Sequence, residues 1–260
     1  MNKTIYGSHC EDKQVLKDGK LHSFNGEPAV VEYERVQFVE SESEDGEDGY
    51  EGTKYWLSYV TLAEWYQNGK LHREDGPART KYKPPVDSLE TKCSLTLEEW
   101  YNNGKLHREN GPARTKYKPP DSYFEKSILT LEEWYQHGEL HREDGPARTE
   151  YYIDGVISEQ KWYIEGKLVR SYDHFDDKYF DEEDEEDDDE NTYYNIFSKT
   201  KWYNENGELH REDGPAYTSI LKTYSKVDGT IILDTYYEEW YRNGEIHREN
   251  VEISPEEKEL

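Results

Sequence analysis

The sequence predicts an all-β protein, an elongated single-layer antiparallel meander of tandem β-hairpin repeats. Three observations predict it. A motif built on Trp-Tyr recurs along the chain, Asn-Gly and Asp-Gly-Pro turn signals sit at fixed places inside it, and no stretch shows a 3.6-residue apolar period. Apolar residues make up 33% of the 260 residues, too few for one deep core, while 7 Trp and 24 Tyr supply large apolar area with few aliphatic side chains. A mean hydropathy of -1.21 points the same way. Together these imply a thin structure held by aromatic stripes.

The copies read E-W-Y-Q-N-G-K-L-H-R-E-D-G-P-A from Glu64, E-W-Y-N-N-G-K-L-H-R-E-N-G-P-A from Glu99, E-W-Y-Q-H-G-E-L-H-R-E-D-G-P-A from Glu133 and K-W-Y-N-E-N-G-E-L-H-R-E-D-G-P-A from Lys201. Partial copies begin at Lys17, Lys161 and Glu239. The signature residues are Trp65, Tyr66, His72 and Arg73; Trp100, Tyr101, His107 and Arg108; Trp134, Tyr135, His141 and Arg142; Trp202, Tyr203, His210 and Arg211; and Trp240, Tyr241, His247 and Arg248. Spacing between copies varies while the motif does not, so insertions fall in one class of loop.

Each motif reads as a hairpin. Asn68-Gly69 and Asn103-Gly104 accept positive φ at both central positions of a two-residue type I′ turn. That turn sets Tyr66 opposite Leu71, Trp65 opposite His72 and Glu64 opposite Arg73, with Trp packed on His. The extra residue before Asn206-Gly207 predicts a three-residue loop with a bulge. Asp75-Gly76 then supplies a second turn, and Pro77 leads into a third strand from Ala78 to Lys83. Asp154-Gly155 and Asp228-Gly229 mark further hairpins, and every connection is local and antiparallel.

One array, 1–260, is expected, interrupted by an acidic loop at 40–52 and an acidic disordered loop at 174–192, and ending in an exposed tail at 251–260. Residues 181–190 are ten consecutive acidic side chains. With 59 acidic against 32 basic residues the net charge is -27, which disfavours nucleic acid and anionic membranes and favours a basic protein partner. Cys10 and Cys93 form neither a disulfide framework nor a zinc motif, which fits a reducing, intracellular setting. There is no signal-peptide pattern and no run of the ~18 apolar residues a membrane span needs.

Histidine followed by arginine invites a catalytic reading, in which one His-Glu pair serves a small hydrolase. The same His-Arg-Glu recurs in near-identical contexts, whereas a catalytic centre needs one convergent pocket with distinct roles. The histidines are therefore expected to be structural, with no catalytic, cofactor or metal site. His137-Gly138-Glu139-Leu140-His141 lacks the Glu directly after the first His that a zinc-protease helix requires. Tyr82 and Tyr117, on the third strands, suit either packing or partner binding.

The motif W-Y-x-N-G-K-L-H-R-E-D-G-P-A resembles the MORN-like repeats, particularly the divergent form abundant in large DNA viruses of amoebae. The resemblance implies an antiparallel sheet, a scaffold or binding role without catalytic residues, and a viral protein made in host cytoplasm or carried in a virion. The expectation is a non-enzymatic repeat scaffold for protein–protein interaction. The alternative is an acidic binder or mimic that engages histone-like proteins through residues 176–190.

Overall fold

The structure, a computed structural model, describes residues 2–6, 12–40, 53–85, 92–120, 126–176, 193–226 and 228–254. The expected acidic loop lies outside these residues apart from Glu40. Of the expected segment 174–192, His174–Asp176 belongs to a strand and 177–192 lie outside. Of the expected tail, Val251–Ser254 is strand and 255–260 lie outside. The chain divides into two compact units, Met1–Glu139 and Leu140–Leu260. The boundary falls within the hairpin of the third full copy.

The first unit holds β1 (Asn2–Tyr6), β2 (Lys13–Lys17), β3 (Lys20–Leu21), β4 (Val30–Glu40), β5 (Thr53–Glu64), β6 (Tyr66–Gln67), β7 (Lys70–Leu71), β8 (Arg79–Lys83), β9 (Ser94–Glu99), β10 (Tyr101–Asn102), β11 (Lys105–Leu106), β12 (Arg114–Lys118), β13 (Ile128–Glu133) and β14 (Tyr135–Gln136). Its sheet runs β1-β2-β4-β5-β8-β9-β12-β13, every pair antiparallel. β15 (Glu139–Leu140) spans the boundary. The second unit holds β16 (Arg148–Tyr151), β17 (Ile157–Ile164), β18 (Lys167–Asp176), β19 (Tyr193–Trp202), β20 (Tyr217–Ser225), β21 (Ile231–Arg242) and β22 (Glu245–Ser254), paired in that order, again antiparallel. The order is linear in both, so neither sheet closes into a barrel. The all-β meander read from the sequence is the observed architecture. Among the described residues, no helix is long and apolar enough to cross a membrane.

The expected turns form. Asn68 and Gly69 have φ of 53° and 80°, Asn103 and Gly104 have 52° and 84°. In the Lys201 copy Gly207 N–H donates to the Asn204 carbonyl and Asn204 N–H to the Glu208 carbonyl, the three-residue bulged loop read from its longer sequence. Register shifts fall immediately before Tyr33, Tyr82, Tyr117, Tyr151 and Tyr224. These are β-bulges that re-aim the tyrosines and add local twist. Tyr82 and Tyr117 are half-buried.

One expected pairing does not occur. Glu64 lies opposite Arg79 of the third strand rather than Arg73 across the hairpin. The chain leaves the sheet after Glu64, so its neighbour in the sheet is the strand that follows Gly-Pro-Ala. The result is a row of alternating charge across the first unit. Arg79 Nε meets Glu64 at 2.6 Å and its Nη1 meets Glu99 at 3.0 Å; Arg114 Nε meets Glu99 at 2.7 Å and its Nη1 meets Glu133 at 2.9 Å. Tyr66, Tyr101 and Tyr135 each donate a phenolic hydrogen bond to the glutamate two residues earlier. Burial and the bond to Glu64 push the Tyr66 phenol up to about 12. Burial raises the Glu99 carboxyl, but hydrogen bonds from Arg114, Tyr101 and Arg79 outweigh it and hold the group below the usual carboxylate range.

Burial is spread thinly. Ala29, Ala78, Ala113, Ala147 and Ala216, the alanines that follow proline, are fully covered, while no large side chain among the described residues is. Each of Ala29, Ala78, Ala113 and Ala216 donates to a glutamate carbonyl on a neighbouring strand and accepts from the N–H of the residue that opens a hairpin, Val15, Trp65, Trp100 or Trp202. Stability therefore comes from repeated contacts between neighbouring copies rather than from one centre.

Arg114→Leu removes the cation that Glu99 and Glu133 share. It should cost about 2–3 kcal/mol, below the usual figure for a broken buried pair because the guanidinium is partly exposed. The shift of the urea midpoint, followed by tryptophan fluorescence, checks this. A carboxyl held low in the folded state stabilises above its unfolded pKa and loses that contribution as pH falls through the folded value. Between about pH 5 and pH 3 the wild type should lose stability faster than Glu99→Gln, measured as urea midpoint against pH.

Candidate functional site in the hairpin junctions

After Trp65, Trp100, Trp134 and Trp202 the chain steps off the sheet into a short hairpin, whereas β17 and β21 run on through Trp162 and Trp240 and turn within the sheet. Hairpins of successive copies meet, and between the Lys161 and Lys201 copies the bond is Tyr203 N–H to the Val169 carbonyl. At the other five junctions the pairing uses the same three bonds. The first runs from the turn glycine N–H to a Leu carbonyl in the preceding copy: Gly69 to Leu21, Gly104 to Leu71, Gly138 to Leu106, Gly166 to Leu140 and Gly244 to Leu209. In the second, an N–H of the preceding copy donates to a Tyr carbonyl: Ser23 to Tyr66, Arg73 to Tyr101, Arg108 to Tyr135, Arg142 to Tyr163 and Arg211 to Tyr241.

The third bond explains the histidines. The residue before each turn glycine has positive φ, and its N–H points at the preceding copy. Asn68 donates to His22 Nδ1 (3.3 Å), Asn103 to His72 (3.2 Å), His137 to His107 (3.2 Å), Glu165 to His141 (3.1 Å) and Asn243 to His210 (3.1 Å). To accept at Nδ1 each imidazole carries its proton on Nε2. The ring nitrogen that would serve as an acceptor is thus engaged by backbone. The tolerance of His137 and Glu165 at a position with φ of 53° and 50° is supported by the same bond.

The cation stacked on Trp65, Trp100, Trp202 and Trp240 is the arginine after the histidine, a partner that the cross-strand reading, with Trp opposite His, does not provide. The guanidinium carbon of Arg73 lies 4.1 Å from the centre of the Trp65 ring system, Arg108 3.9 Å from Trp100, Arg211 4.5 Å from Trp202 and Arg248 4.7 Å from Trp240. His72 lies across the hairpin from Trp65 as expected, its N–H donating to the Trp65 carbonyl at 2.9 Å. The guanidinium wins because it is a flat cation that also reaches Asp75 (2.9 Å) and the Pro77 carbonyl (3.4 Å). This also explains Gly76. A Cβ there would sit 2.8 Å from Arg73 Cζ, and the same clash recurs at Gly111 with Arg108 and Gly145 with Arg142. These glycines leave room for the arginine.

Between hairpins lie open grooves. One is lined by His72, Arg73, Trp100, Tyr101, His107 and Arg108, and the one before it by His22, Trp65, Tyr66, His72 and Arg73. The glutamate after each arginine points to solvent: the side chains of Glu74 and Glu143 are 90% and 86% exposed. Among the described residues, no cluster of His, Cys, Asp and Glu is placed to hold a metal ion. Cys93 is a half-buried free thiol whose pKa burial pushes up.

Two copies depart from the pattern in linked ways. Where histidine is replaced by Val169, Arg170 lies between two indoles, 4.3 Å from Trp162 and 4.8 Å from Trp202, and burial together with nearby Arg211 lowers its pKa. Where Lys201 replaces the glutamate before Trp, Tyr217 replaces the third-strand arginine, and the ammonium lies 5.9 Å from the phenol ring. The third-strand arginines Arg79, Arg114 and Arg148 were not singled out by sequence reasoning. Their signal is the recurrent Pro-Ala-Arg-Thr and this paired change.

No protein-family model, curated protein or solved structure matches the chain.

His107→Asn keeps an acceptor where Nδ1 stood, whereas His107→Phe leaves the His137 N–H to solvent. Phe should cost roughly 1 kcal/mol and Asn less than half of that, measured as unfolding free energies by urea titration. Gly76→Ala should displace the Arg73 guanidinium from Trp65 and cost about 1–2 kcal/mol. In an Arg73→Ala background the same change should cost markedly less. A double-mutant cycle measures that difference, and additivity would contradict the packing described.

Proposed function

We propose that the protein is a non-enzymatic repeat scaffold that presents a periodic surface to a protein partner. One observation carries the reading. The polar groups that could have performed chemistry are engaged, the signature Arg and Tyr side chains within their own copy and the His and Glu side chains with neighbouring copies as well. The glutamate after the arginine is left in solvent at a fixed place in the four full copies. Glu74, Glu109, Glu143 and Glu212 are all exposed. Asp75, Asp144 and Asp213 beside them bond the arginine Nε and stay largely exposed. A recurring acidic point of this kind suits a partner with basic side chains, and the net charge of -27 would speed its approach. The resemblance to MORN-like repeats, and through it the viral setting, supports the same role.

The test is charge reversal on the surface alone. The full chain and a variant with Glu74, Glu109, Glu143 and Glu212 changed to Lys are expressed in parallel, and partners are read by cross-linking and mass spectrometry. The variant should keep its urea midpoint within about 0.5 kcal/mol of stability and lose the cross-linked partner. Retention of that partner would remove the acidic row from the reading. Residues 176–190 give a second basis for acidic binding, carried by the ten acidic side chains of 181–190. Deleting them and measuring histone affinity separates it from the first, since only this reading expects a loss.

A further inference from the structure

The four full copies share one turn after the signature arginine, and one of them differs there in charge. The residue two places after the arginine is Asp75, Asp144 and Asp213 in three copies and Asn110 in the copy from Glu99. Each aspartate accepts a hydrogen bond from its arginine Nε, at 2.9 Å from Arg73, 2.8 Å from Arg142 and 2.9 Å from Arg211. The aspartate side chains are 78%, 81% and 82% exposed, so a group in this place is reached directly from solvent. Asn110 is exposed too, and it brings no charge to Arg108. Among the described residues the Arg108 guanidinium has one hydrogen bond, from Nη1 to the Pro112 carbonyl at 3.2 Å, and no ion pair.

The cation is nonetheless held in one orientation. Its central carbon lies 3.9 Å from the centre of the Trp100 ring system, which keeps the guanidinium flat against the indole. With Nη1 turned to Pro112, the edge formed by Nε and Nη2 is the one that suits the two oxygens of a carboxylate. Glu109 does not serve it. In the sister copies the glutamate leans to the histidine, Glu74 lying 3.8 Å from His72 Nε2 and Glu143 3.9 Å from His141 Nε2, while the aspartate turns to the arginine. Arg108 and Asn110 border the groove that also holds Trp100, Glu74 and Glu109. Two other arginines lack an aspartate at this place, and neither offers the same edge. Arg170 lies between two indoles with its Nε buried, and Arg248 Nε donates to Asn250 at 3.3 Å.

We propose that Arg108 receives an aspartate or glutamate side chain of the protein partner, one flanked by basic residues, and that this pair sets the partner's register on the repeat surface. This rests on the scaffold reading. The flanking basic residues suit Glu74 and Glu109, which border the same groove. A surface of equivalent acidic points would let a basic partner slide by one copy with little change in energy. An acid aligned with Arg108 removes that freedom. Displaced by one copy toward the N-terminus, it would meet Asp75, whose carboxylate pairs with Arg73 and repels a like charge. An exposed pair of this kind is weak by itself, so it discriminates between registers more than it adds affinity.

The probe is the peptide acetyl-Lys-Asp-Lys-amide, titrated into the full chain while the arginine Nε–H resonances are followed by proton–nitrogen NMR. Acetyl-Lys-Asn-Lys-amide is the control. The Arg108 resonance should shift saturably with the aspartate peptide and not with the control, while those of Arg73, Arg142 and Arg211 stay in place. Asn110→Asp supplies a carboxylate from the chain itself and should abolish the shift. Asp75→Asn should add a second responding resonance, that of Arg73. Near-ultraviolet circular dichroism checks that both variants keep the fold. No saturable shift at Arg108, a shift that survives Asn110→Asp, or an equal response to the control peptide overturns the inference. Both substitutions leave Glu74, Glu109, Glu143 and Glu212 in place, so this reading and that of the acidic row fail separately.

Discussion

A two-residue turn with positive φ at both positions leaves two N–H groups pointing out of the hairpin, and the array is organised around satisfying them. One finds the Leu carbonyl of the preceding copy and the other finds a histidine Nδ1. An unmet backbone donor costs free energy comparable to a lost hydrogen bond, so a turn of this kind is stable beside a neighbour that supplies acceptors at the right spacing. That requirement fixes histidine in the motif and the register between copies. The residue before the histidine offers its carbonyl and the residue after it returns an N–H to the next tyrosine, backbone roles that do not depend on the side chain, as Ser23 shows at the first junction.

The sheet beside the hairpins solves a different problem, that of burying charge without a core. Each glutamate in the row accepts from its tyrosine, and Glu99 accepts from arginines on both sides. A carboxylate with several charge-assisted partners can lie at 4% exposure, where an isolated one would be neutralised. The two systems meet at the alanine after proline, whose N–H and carbonyl link the glutamate strand to the start of the hairpin. Each crossing holds one fully covered alanine methyl.

Much of this was legible in the residues. Period, turn type and antiparallel order follow from Trp-Tyr spacing and from Asn-Gly, because a two-residue turn admits few geometries. The bulged loop at Asn206-Gly207 follows from one extra residue. The side-chain partners were less legible, because they depend on where the chain departs from the sheet. Taking the hairpin as a continuation of the strand puts Glu64 opposite Arg73 and Trp65 against His72. In the structure the departure after Glu64 hands the glutamate to Arg79 and frees Arg73 to stack on Trp65. Gly76 likewise reads as a turn glycine, yet its reason is the guanidinium that lies over it, a contact that propensity does not encode.

The alternating row has a consequence for how such a chain can change length. Each of the copies from Glu64, Glu99 and Glu133 brings its own glutamate and its own third-strand arginine, so the row is closed under duplication: adding or removing a whole copy leaves the charges in step. The stretch with Lys161, Ser171, Lys201 and Tyr217 breaks that arithmetic, since these residues occupy successive places in the row of the second unit. Copies on one side of it are interchangeable modules, and those within it form a matched set that can be exchanged only together.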